Sequence, residues 1–315
     1  MLSLLLATNM AGAADSKASL DWLKVAAFAS HQTDYSGVFV YESEGRVESS
    51  RIIHVIEEDG EFEKIELLDG PNREIVRHHG QVWSYLDHKL TQLDQEHSQG
   101  RFPAFLSERL GMLDTNYQPQ LLGAERVAGY STQVVLFRPK DNLRFSHKLW
   151  VHSSSGLLLK AAILGDKGQV IEQYAFTQLQ IGGKVDRSWI REYTARELQA
   201  DMQKTSAPLM PTKTIKSGWA VDAIPRGFKK MMEVERQMRG KHDPVIQMVF
   251  SDGFSAISVF IEPNDYDEDD VEGLSTRGSV TIYHKVVNDH LITVVGEVPP
   301  RTVMRVFDSV RYKGS

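Results

Sequence analysis

The strongest structural signal in this 315-residue chain comes from residues 35–86, which read YSGVFVYESEGRVESSRIIHVIEEDGEFEKIELLDGPNREIVRHHGQVWSYL. Aromatic and β-branched residues alternate with polar ones, and this period of two is typical of strands. Turn-forming residues separate the runs at Gly45, Asp59-Gly60, Asp69-Gly70-Pro71-Asn72 and Gly80. Short strands joined by close turns predict an antiparallel meander.

The same alternation resumes later in the chain. Further strands are expected at Thr132–Arg138, Phe145–His152, Leu157–Leu164 and Val170–Leu179. Residues 93–125 interrupt the pattern, and their apolar spacing suggests a short helix that packs against the sheet. A helix is also expected over Lys17–Ser30, ahead of the first strand. Residues 17–190 are therefore predicted to form a mainly β domain of about nine strands.

A second domain is predicted after a boundary at residues 191–214. Arg191–Lys204 has a polar, helical pattern, and the residues after it carry Pro208 and Pro211 among small polar side chains. Residues 215–315 then predict a strand over Phe228–Met238, two hairpins and a final helix that starts at Pro299-Pro300. This pattern favours a smaller α+β domain joined to the first by a helical linker.

Composition narrows the classes of function. The net charge is -6, so the chain lacks the basic excess of a dedicated nucleic-acid binder. It has no cysteine, which excludes disulfides, thiolate metal sites and cysteine nucleophiles. Residues 1–13 begin with the apolar run MLSLLLA and end in an A-x-A-like site, although no basic residue precedes the run. We interpret them as a signal peptide, which predicts an exported protein.

Catalytic and metal-binding motifs are absent from the sequence. None of the G-x-S-x-G, H-E-x-x-H, G-x-G-x-x-G or P-loop patterns occurs, and the 11 histidines are scattered. The acidic run of residues 262–272 departs from a calcium-binding loop at the required Gly and at the final Glu. We therefore expect a protein that is not an enzyme and that needs no cofactor or metal.

Two groups of residues are candidates for binding. Several strands of the first domain are apolar on both faces, which predicts either a lipid-binding cavity or a two-sided core. The aromatic residues chosen for the cavity are Phe39, Trp83, Tyr85, Phe137 and Trp150. Residues 226–241 carry a local charge of +4, which suits either an internal salt network or an acidic partner. The residues chosen for this partner surface are Arg226, Phe228, Lys230 and Phe254.

Several short motifs resemble the RseB/MucB family of periplasmic regulators. In the second domain they are SDG at residues 251–253, SVFIEP at 258–263 and GEVPP at 296–300. In the first domain they are YSGVFVY at residues 35–41, LWVH at 149–152 and IEQY at 171–174. Each motif is weak alone, but their order along the chain is specific in combination. The resemblance extends over nearly the whole chain after residue 17.

The resemblance implies a fold and a function. The fold would be an unclosed β-barrel similar to LolA and LppX, followed by a smaller C-terminal domain. The function would be to bind the periplasmic segment of a membrane anti-sigma factor of the RseA/MucA type, and to shield it from the site-1 protease DegS. Lipopolysaccharide or a related acyl lipid would release the regulator.

This reading places the protein in the periplasm, held at the inner membrane only through its partner. The alternative function is that of a lipid or lipoprotein carrier of the LolA type. The sequence leaves open whether the chain forms homo-oligomers.

Overall fold

An open antiparallel sheet dominates the first domain of the computed structural model. The structure describes residues 4–78, 80–86, 89–93, 102–103, 113–191, 193, 212–237, 243–264 and 272–314. Helix α1 (Leu4–Ala29) comes first and includes the predicted helix up to its final residue. The first six strands follow as β1 (Tyr35–Ser43), β2 (Arg46–Glu57), β3 (Gly60–Leu67), β4 (Arg73–His78), β5 (Gln81–Leu86) and β6 (Lys89–Leu93).

The second half of the sheet returns to the first strand. A short helix, α2 (Leu113–Asn116), leads into five further strands. They are β7 (Tyr117–Val127), β8 (Tyr130–Pro139), β9 (Ser146–His152), β10 (Leu158–Leu164) and β11 (Val170–Ile181). The strand order is β6-β5-β4-β3-β2-β1-β11-β10-β9-β8-β7, so β1 pairs with β11 in the middle of the sheet. In the described part of the chain β6 and β7 do not pair, which confirms the prediction of an unclosed antiparallel sheet.

The predicted break at residues 93–125 is longer than the described strands allow. Strand β7 already begins at Tyr117. The sequence did not reveal β7 because Pro119 and Gly123 interrupt the alternation. Pro119 is tolerated within this strand because β7 lies at the edge of the sheet. Most of the helix expected between Phe102 and Leu113 lies outside the described residues.

Both faces of the first sheet bury apolar side chains. One face carries Phe39, Ile52, Ile65 and Ile75, and this core also includes Leu23 of α1. On the other face of β2–β5, a second core contains side chains from residues 185–193, which follow the last strand. Its buried members are Val55, Phe62, Val76, Trp83, Tyr85, Val185, Trp189 and Tyr193. The two-sided core is therefore what the structure shows over β2–β5.

The second domain is a smaller sheet covered on one face by a helix. Its elements are β12 (Thr212–Thr214), β13 (Trp219–Val221), β14 (Lys229–Arg236), β15 (Val245–Ser251), β16 (Ala256–Pro263), β17 (Glu272–Arg277), β18 (Val280–Val287), β19 (His290–Gly296), α3 (Pro300–Phe307) and β20 (Val310–Tyr312). Seven strands are ordered β12-β14-β15-β16-β19-β18-β17, and β13 pairs with β20. Val303 and Val306 of α3 belong to the same buried core as Val259 of β16 and Val294 of β19. Pro300 opens the helix, where its missing N–H costs nothing.

Two predicted turns differ in outcome. Asn288 and Asp289 both have positive φ, as a two-residue hairpin turn requires, and they join β18 to β19 as predicted. The expected two-residue turn at Asp252-Gly253 is instead a four-residue loop, because Ser251 pairs with Ala256. The Asp252 N–H donates to the Ser255 carbonyl and closes this loop.

The predicted linker at residues 191–214, including the helix over Arg191–Lys204, lies mostly outside the described residues. Over the ranges that the structure describes, every helix is too short or too polar to cross a bilayer.

Candidate functional site

A buried ion pair joins the two domains. Arg144 lies in the loop between β8 and β9, and Asp252 lies in the turn between β15 and β16. Their side chains are fully buried, and Arg144 Nε lies 2.6 Å from Asp252 Oδ2. The guanidinium also donates to Asp141 and to the carbonyl of Arg226, and it lies over the Phe228 ring. The pair therefore fixes one domain against the other with defined geometry.

The Asp252 carboxylate accepts hydrogen bonds from both domains. The Tyr117 hydroxyl donates to its Oδ2 over 3.2 Å, and the N–H groups of Phe254 and Ser255 donate to its Oδ1 over 3.0 and 2.9 Å. Burial, followed by the charge of Asp252, raises the pKa of Tyr117 well above its ordinary value. Burial acts to lower the pKa of Arg144, but the hydrogen bond and charge of Asp252 raise it overall. Buried charges are tolerated here because each has its partners.

Phe254 of the second domain inserts among rings of the first. It stacks on His147 with ring centroids 4.4 Å apart, and it meets Tyr117 and Phe137 edge-on at 5.2 and 5.1 Å. Burial lowers the pKa of His147 to about 4, against the opposing effect of the Asp252 charge. The apolar contact therefore holds the imidazole neutral.

A second contact holds the turn between β17 and β18. The Gly278 N–H donates to Glu44 over 2.9 Å, and the Ser279 N–H donates to Glu172 over 3.2 Å. The Tyr41 hydroxyl also donates to Glu172. Two carboxylates of the first domain thus bind adjacent backbone N–H groups of the second.

Helix α3 completes the boundary. The Thr302 hydroxyl donates to the Leu143 carbonyl over 2.9 Å, and Arg301 forms an exposed ion pair with Asp166. Glu297, just before α3, has an exposed side chain.

Comparison with known proteins assigns this arrangement to a family. The model of the MucB/RseB N-terminal domain matches residues 18–194, and that of the MucB/RseB C-terminal domain matches residues 213–311. The chain belongs to the MucB/RseB family. The resemblance read from the short motifs is therefore confirmed.

Curated and solved relatives span nearly all of the chain. Sigma factor AlgU regulatory protein MucB of Pseudomonas aeruginosa is 30% identical over 320 residues, covering 99% of this chain and 95% of that protein. Sigma-E factor regulatory protein RseB of Escherichia coli K12 is 23% identical, covering 98% and 95%. The solved MucA/MucB complex of P. aeruginosa has a chain with 28% identity and a TM-score of 0.72, covering 94% of this chain and 99% of that chain.

The aromatic residues predicted to line a cavity do not share one surface in this MucB/RseB protein. All five are buried. The strand registers place Phe39 and Phe137 on one face of the sheet. They place Trp83, Tyr85 and Trp150 on the opposite face.

The two groups of aromatic residues also have different neighbours. Phe39 packs on Phe102, Tyr174 and Phe176. Trp83 and Tyr85 belong to the core that residues 185–193 cover.

A hollow of 390 Å³ opens elsewhere on the first sheet. None of the predicted aromatic residues lines it. Its lining residues are Ser36, Gly37, Val38, Arg51, Ile53, Gln178, Leu179, Gln180 and Asp186. Over the residues that the structure describes, no three His, Asp or Glu side chains converge as metal ligands would.

The residues predicted for the partner surface lie at or beside the domain boundary. Phe228 and Phe254 pack inside it, on Arg144 and His147, so neither forms an open surface. Arg226 is exposed, and its carbonyl binds Arg144. The exposed Lys230 forms an ion pair with Glu233 at 2.7 Å.

Sequence reasoning assigned no interdomain role to Arg144 or Glu172. Glu172 lies in the IEQY motif, but that motif marks no interdomain charge, and none of the quoted motifs includes Arg144. The SDG motif did include Asp252, but only as a turn residue.

Proposed function

We propose that this protein binds the periplasmic segment of a membrane anti-sigma factor and so restrains an envelope-stress sigma factor. The observation that carries the proposal is its similarity, over nearly its whole length, to a MucB that was solved in complex with MucA. A second solved structure contains MucB bound to the periplasmic part of MucA. In this proposal the protein acts in the periplasm, reaches the inner membrane through its partner, and works by binding rather than by catalysis.

The domain boundary is the proposed partner site. Arg226 and Lys230 present positive charge on its second-domain side, and they suit an acidic stretch of the partner. Arg226 is tied through its carbonyl to Arg144, whose side chain forms the buried interdomain pair. A peptide bound at Arg226 would therefore favour one arrangement of the domains over another.

Isothermal titration with a synthetic peptide of the anti-sigma periplasmic segment tests the site. We expect Arg226→Glu and Lys230→Glu each to raise the dissociation constant about 10-fold, because an attractive charge becomes repulsive. Lys229→Glu is the matched control, since Lys229 is also exposed but its neighbouring position on the strand directs it to the opposite face. Equal effects from all three variants would mean that the basic residues attract the peptide only through nonspecific charge. If the wild-type protein does not bind the peptide at all, the proposed function is contradicted.

We also propose that the protein protects the anti-sigma factor from proteolysis. A bound regulator would cover the anti-sigma segment that the site-1 protease must reach. Adding the purified protein to a site-1 cleavage reaction should slow the loss of full-length anti-sigma factor, and Lys230→Glu should restore cleavage in proportion to its weaker binding. Unchanged cleavage at saturating regulator would remove the shielding role while leaving the binding role intact.

A further inference from the structure

A row of polar side chains crosses one end of the apolar face of the first sheet. Along the pairing of β1 to β4, its members are Tyr35, His54, Glu63 and Arg77. Residues that pair directly across neighbouring strands point to the same face of the sheet, so these four side chains lie side by side. Tyr35, His54 and Glu63 are each at most 6% exposed. Polar groups buried to this degree need hydrogen-bond partners.

Part of this polar row is paired within the chain. The Tyr35 ring stacks on the His54 ring with centroids 4.8 Å apart, and His54 Nδ1 lies 2.8 Å from the Thr33 carbonyl oxygen. Arg77 Nη1 donates to the Glu63 carboxylate. One edge of the guanidinium is therefore occupied, and the two stacked rings are held in place.

Three donors of the polar row are left without an acceptor. Among the described residues, the Tyr35 hydroxyl and the Nε and Nη2 atoms of Arg77 are buried and have no hydrogen-bond partner. Burial, followed by the charge of Glu63, raises the pKa of Tyr35 well above its ordinary value, so the hydroxyl keeps its proton. The Nε–H and Nη2–H bonds of a guanidinium are parallel and match the two oxygens of a carboxylate. Because an unpaired buried donor costs free energy, these groups favour a ligand that brings acceptor oxygens.

The polar row borders an apolar surface on the same face. The residues two positions further along the four strands are Gly37, Ile52, Ile65 and Ile75. The three isoleucines are buried in the core that also contains Phe39. Acceptor oxygens therefore suit the polar row, whereas only hydrocarbon suits the positions next to it. This order fits a ligand with a compact polar head and an acyl tail.

The polar row reaches the protein surface at Glu61. Glu61 Oε2 lies 3.4 Å from His54 Nε2 and 2.9 Å from His31 Nδ1, and the Glu61 and His31 side chains are both nearly half exposed. The unpaired donors of Tyr35 and Arg77 are closed off from solvent in this structure. A single carboxylate is small enough to be enclosed there, whereas a head group that carries a polysaccharide is not.

We propose that the polar row binds the carboxylate of a single-chain fatty acid, whose tail enters the apolar core beside it. The carboxylate accepts from Nε and Nη2 of Arg77 and from the Tyr35 hydroxyl. Arg77 then lies between the ligand and Glu63, which the five N–H groups of a guanidinium allow. This site does not depend on the proposed peptide partner, because Arg226 and Lys230 lie in the other domain.

Isothermal titration with dodecanoate, below its critical micelle concentration, tests the site on the full chain. Dodecanol has the same tail without the charge, and we expect it to bind at least about 10-fold more weakly. Arg77→Leu should raise the dodecanoate dissociation constant about 10- to 100-fold, since it removes two charged donors. Tyr35→Phe keeps the stack on His54 and should raise it about 3- to 10-fold, since it removes one neutral donor.

Two further variants separate a binding role from a structural one. Arg51→Leu is the matched control, because Arg51 pairs with Glu66 at 2.8 Å in the same way but lies on the opposite face of β2. It should leave dodecanoate affinity unchanged. Glu63→Gln removes the negative charge that opposes a second carboxylate at Arg77, so dodecanoate should bind several-fold more tightly. Weaker binding in Glu63→Gln would contradict the position of the carboxylate beside Arg77.

The other outcomes also decide the proposal. Equal affinities for dodecanoate and dodecanol would overturn it, as would equal effects of Arg77→Leu and Arg51→Leu. Dodecyl phosphate distinguishes the two anionic head groups, and tighter binding of the phosphate than of dodecanoate would rule out a site built for a carboxylate. If Arg77→Leu fails to fold, Tyr35→Phe decides alone, because an unchanged dodecanoate affinity there would leave the polar row with a structural role only.

Discussion

At the scale of single residues, the boundary depends on the buried pair of Arg144 and Asp252. Removing two charges from water is costly, and the attraction between them often only offsets that cost. The pair instead fixes the relative positions of the two domains, because the guanidinium must also reach Asp141 and the Arg226 carbonyl. Its value lies in selecting one domain arrangement, whereas the Phe254 ring adds apolar attraction by packing among rings of the first domain.

Loss of one partner should expose this dependence. Asp252→Asn leaves the buried Arg144 charge with only the partly exposed Asp141 as counter-ion, so we expect the free energy of unfolding to fall by about 3 kcal/mol. Urea denaturation measures the change. The control is Asp166→Asn, which breaks the exposed pair with Arg301 and should cost at most about 1 kcal/mol. Similar losses for the two variants would mean that the buried pair has no special role.

Sequence alone could not find this residue pair. Asp252-Gly253 correctly indicated a turn, but its partner is 108 residues away along the chain. Nothing in the local pattern around Arg144 distinguishes a buried arginine from the exposed ones. The same holds for His147, which could be read as any half-buried histidine on a strand.

At the scale of elements, the turn between β17 and β18 is shaped to dock on the first domain. Gly278 has φ +59°, and a Cβ there would lie 2.6 Å from Glu172 Oε2 and 2.7 Å from Ser43 Oγ. Glycine adopts this backbone conformation without strain and leaves room for the Glu172 and Ser43 side chains, which would have to shift to admit a Cβ. The element therefore joins the domains through backbone N–H groups that lie close to these two side chains.

Gly278→Ala should act as a wedge between the domains. We expect a loss of stability beyond the roughly 1 kcal/mol that a positive φ costs an alanine, together with a larger radius of gyration in small-angle scattering. Gly70→Ala is the matched control, because Gly70 also has positive φ but its Cβ would meet no atom within 4 Å. If both variants keep the wild-type radius and lose equal stability, the close packing at Gly278 is unimportant.

Strand register cannot be read from the sequence, so the sequence could not predict which strand residues face a binding surface. The period of two identified β5 correctly, but it could not tell which face carries Trp83 and Tyr85. Pairing of Val76 with Trp83 puts both on the face that residues 185–193 cover, opposite Ile75. The sequence signal of two apolar faces was correct, and what it could not indicate is which segment covers the second face.

At the scale of the whole molecule, we propose that the protein receives two ligands. We propose that an acyl chain enters the apolar core on the face of the unclosed sheet that carries Phe39 and Phe137, which are both buried among other side chains in this structure. The partner peptide is proposed to bind across the boundary. Since Phe137 contacts Phe254, a change on the lipid side could reach the boundary directly.

Lipopolysaccharide should therefore weaken peptide binding. We expect the peptide dissociation constant to rise about 10-fold at saturating lipopolysaccharide, which is within the range typical of coupled sites. The polysaccharide part of the same lipid, from which the acyl chains have been removed, should leave the peptide dissociation constant unchanged. Titration calorimetry measures both. Phe39→Leu should reduce the effect more than Trp83→Leu, since the two residues face opposite sides of the sheet. Acyl lipid that binds without changing peptide affinity would contradict the coupling and favour the carrier alternative.

The sequence by itself determined most of the strands, though not β7, together with the final helix and the resemblance to the MucB/RseB family, because alternation, turn residues and short motifs act over neighbouring positions. Tertiary structure alone decided which face each aromatic residue takes, that a four-residue turn replaces the expected two-residue turn at Asp252-Gly253, and which charges meet at the boundary. These features depend on strand register and on contacts between residues far apart in the chain, and each side chain's burial follows from the packing of both domains together.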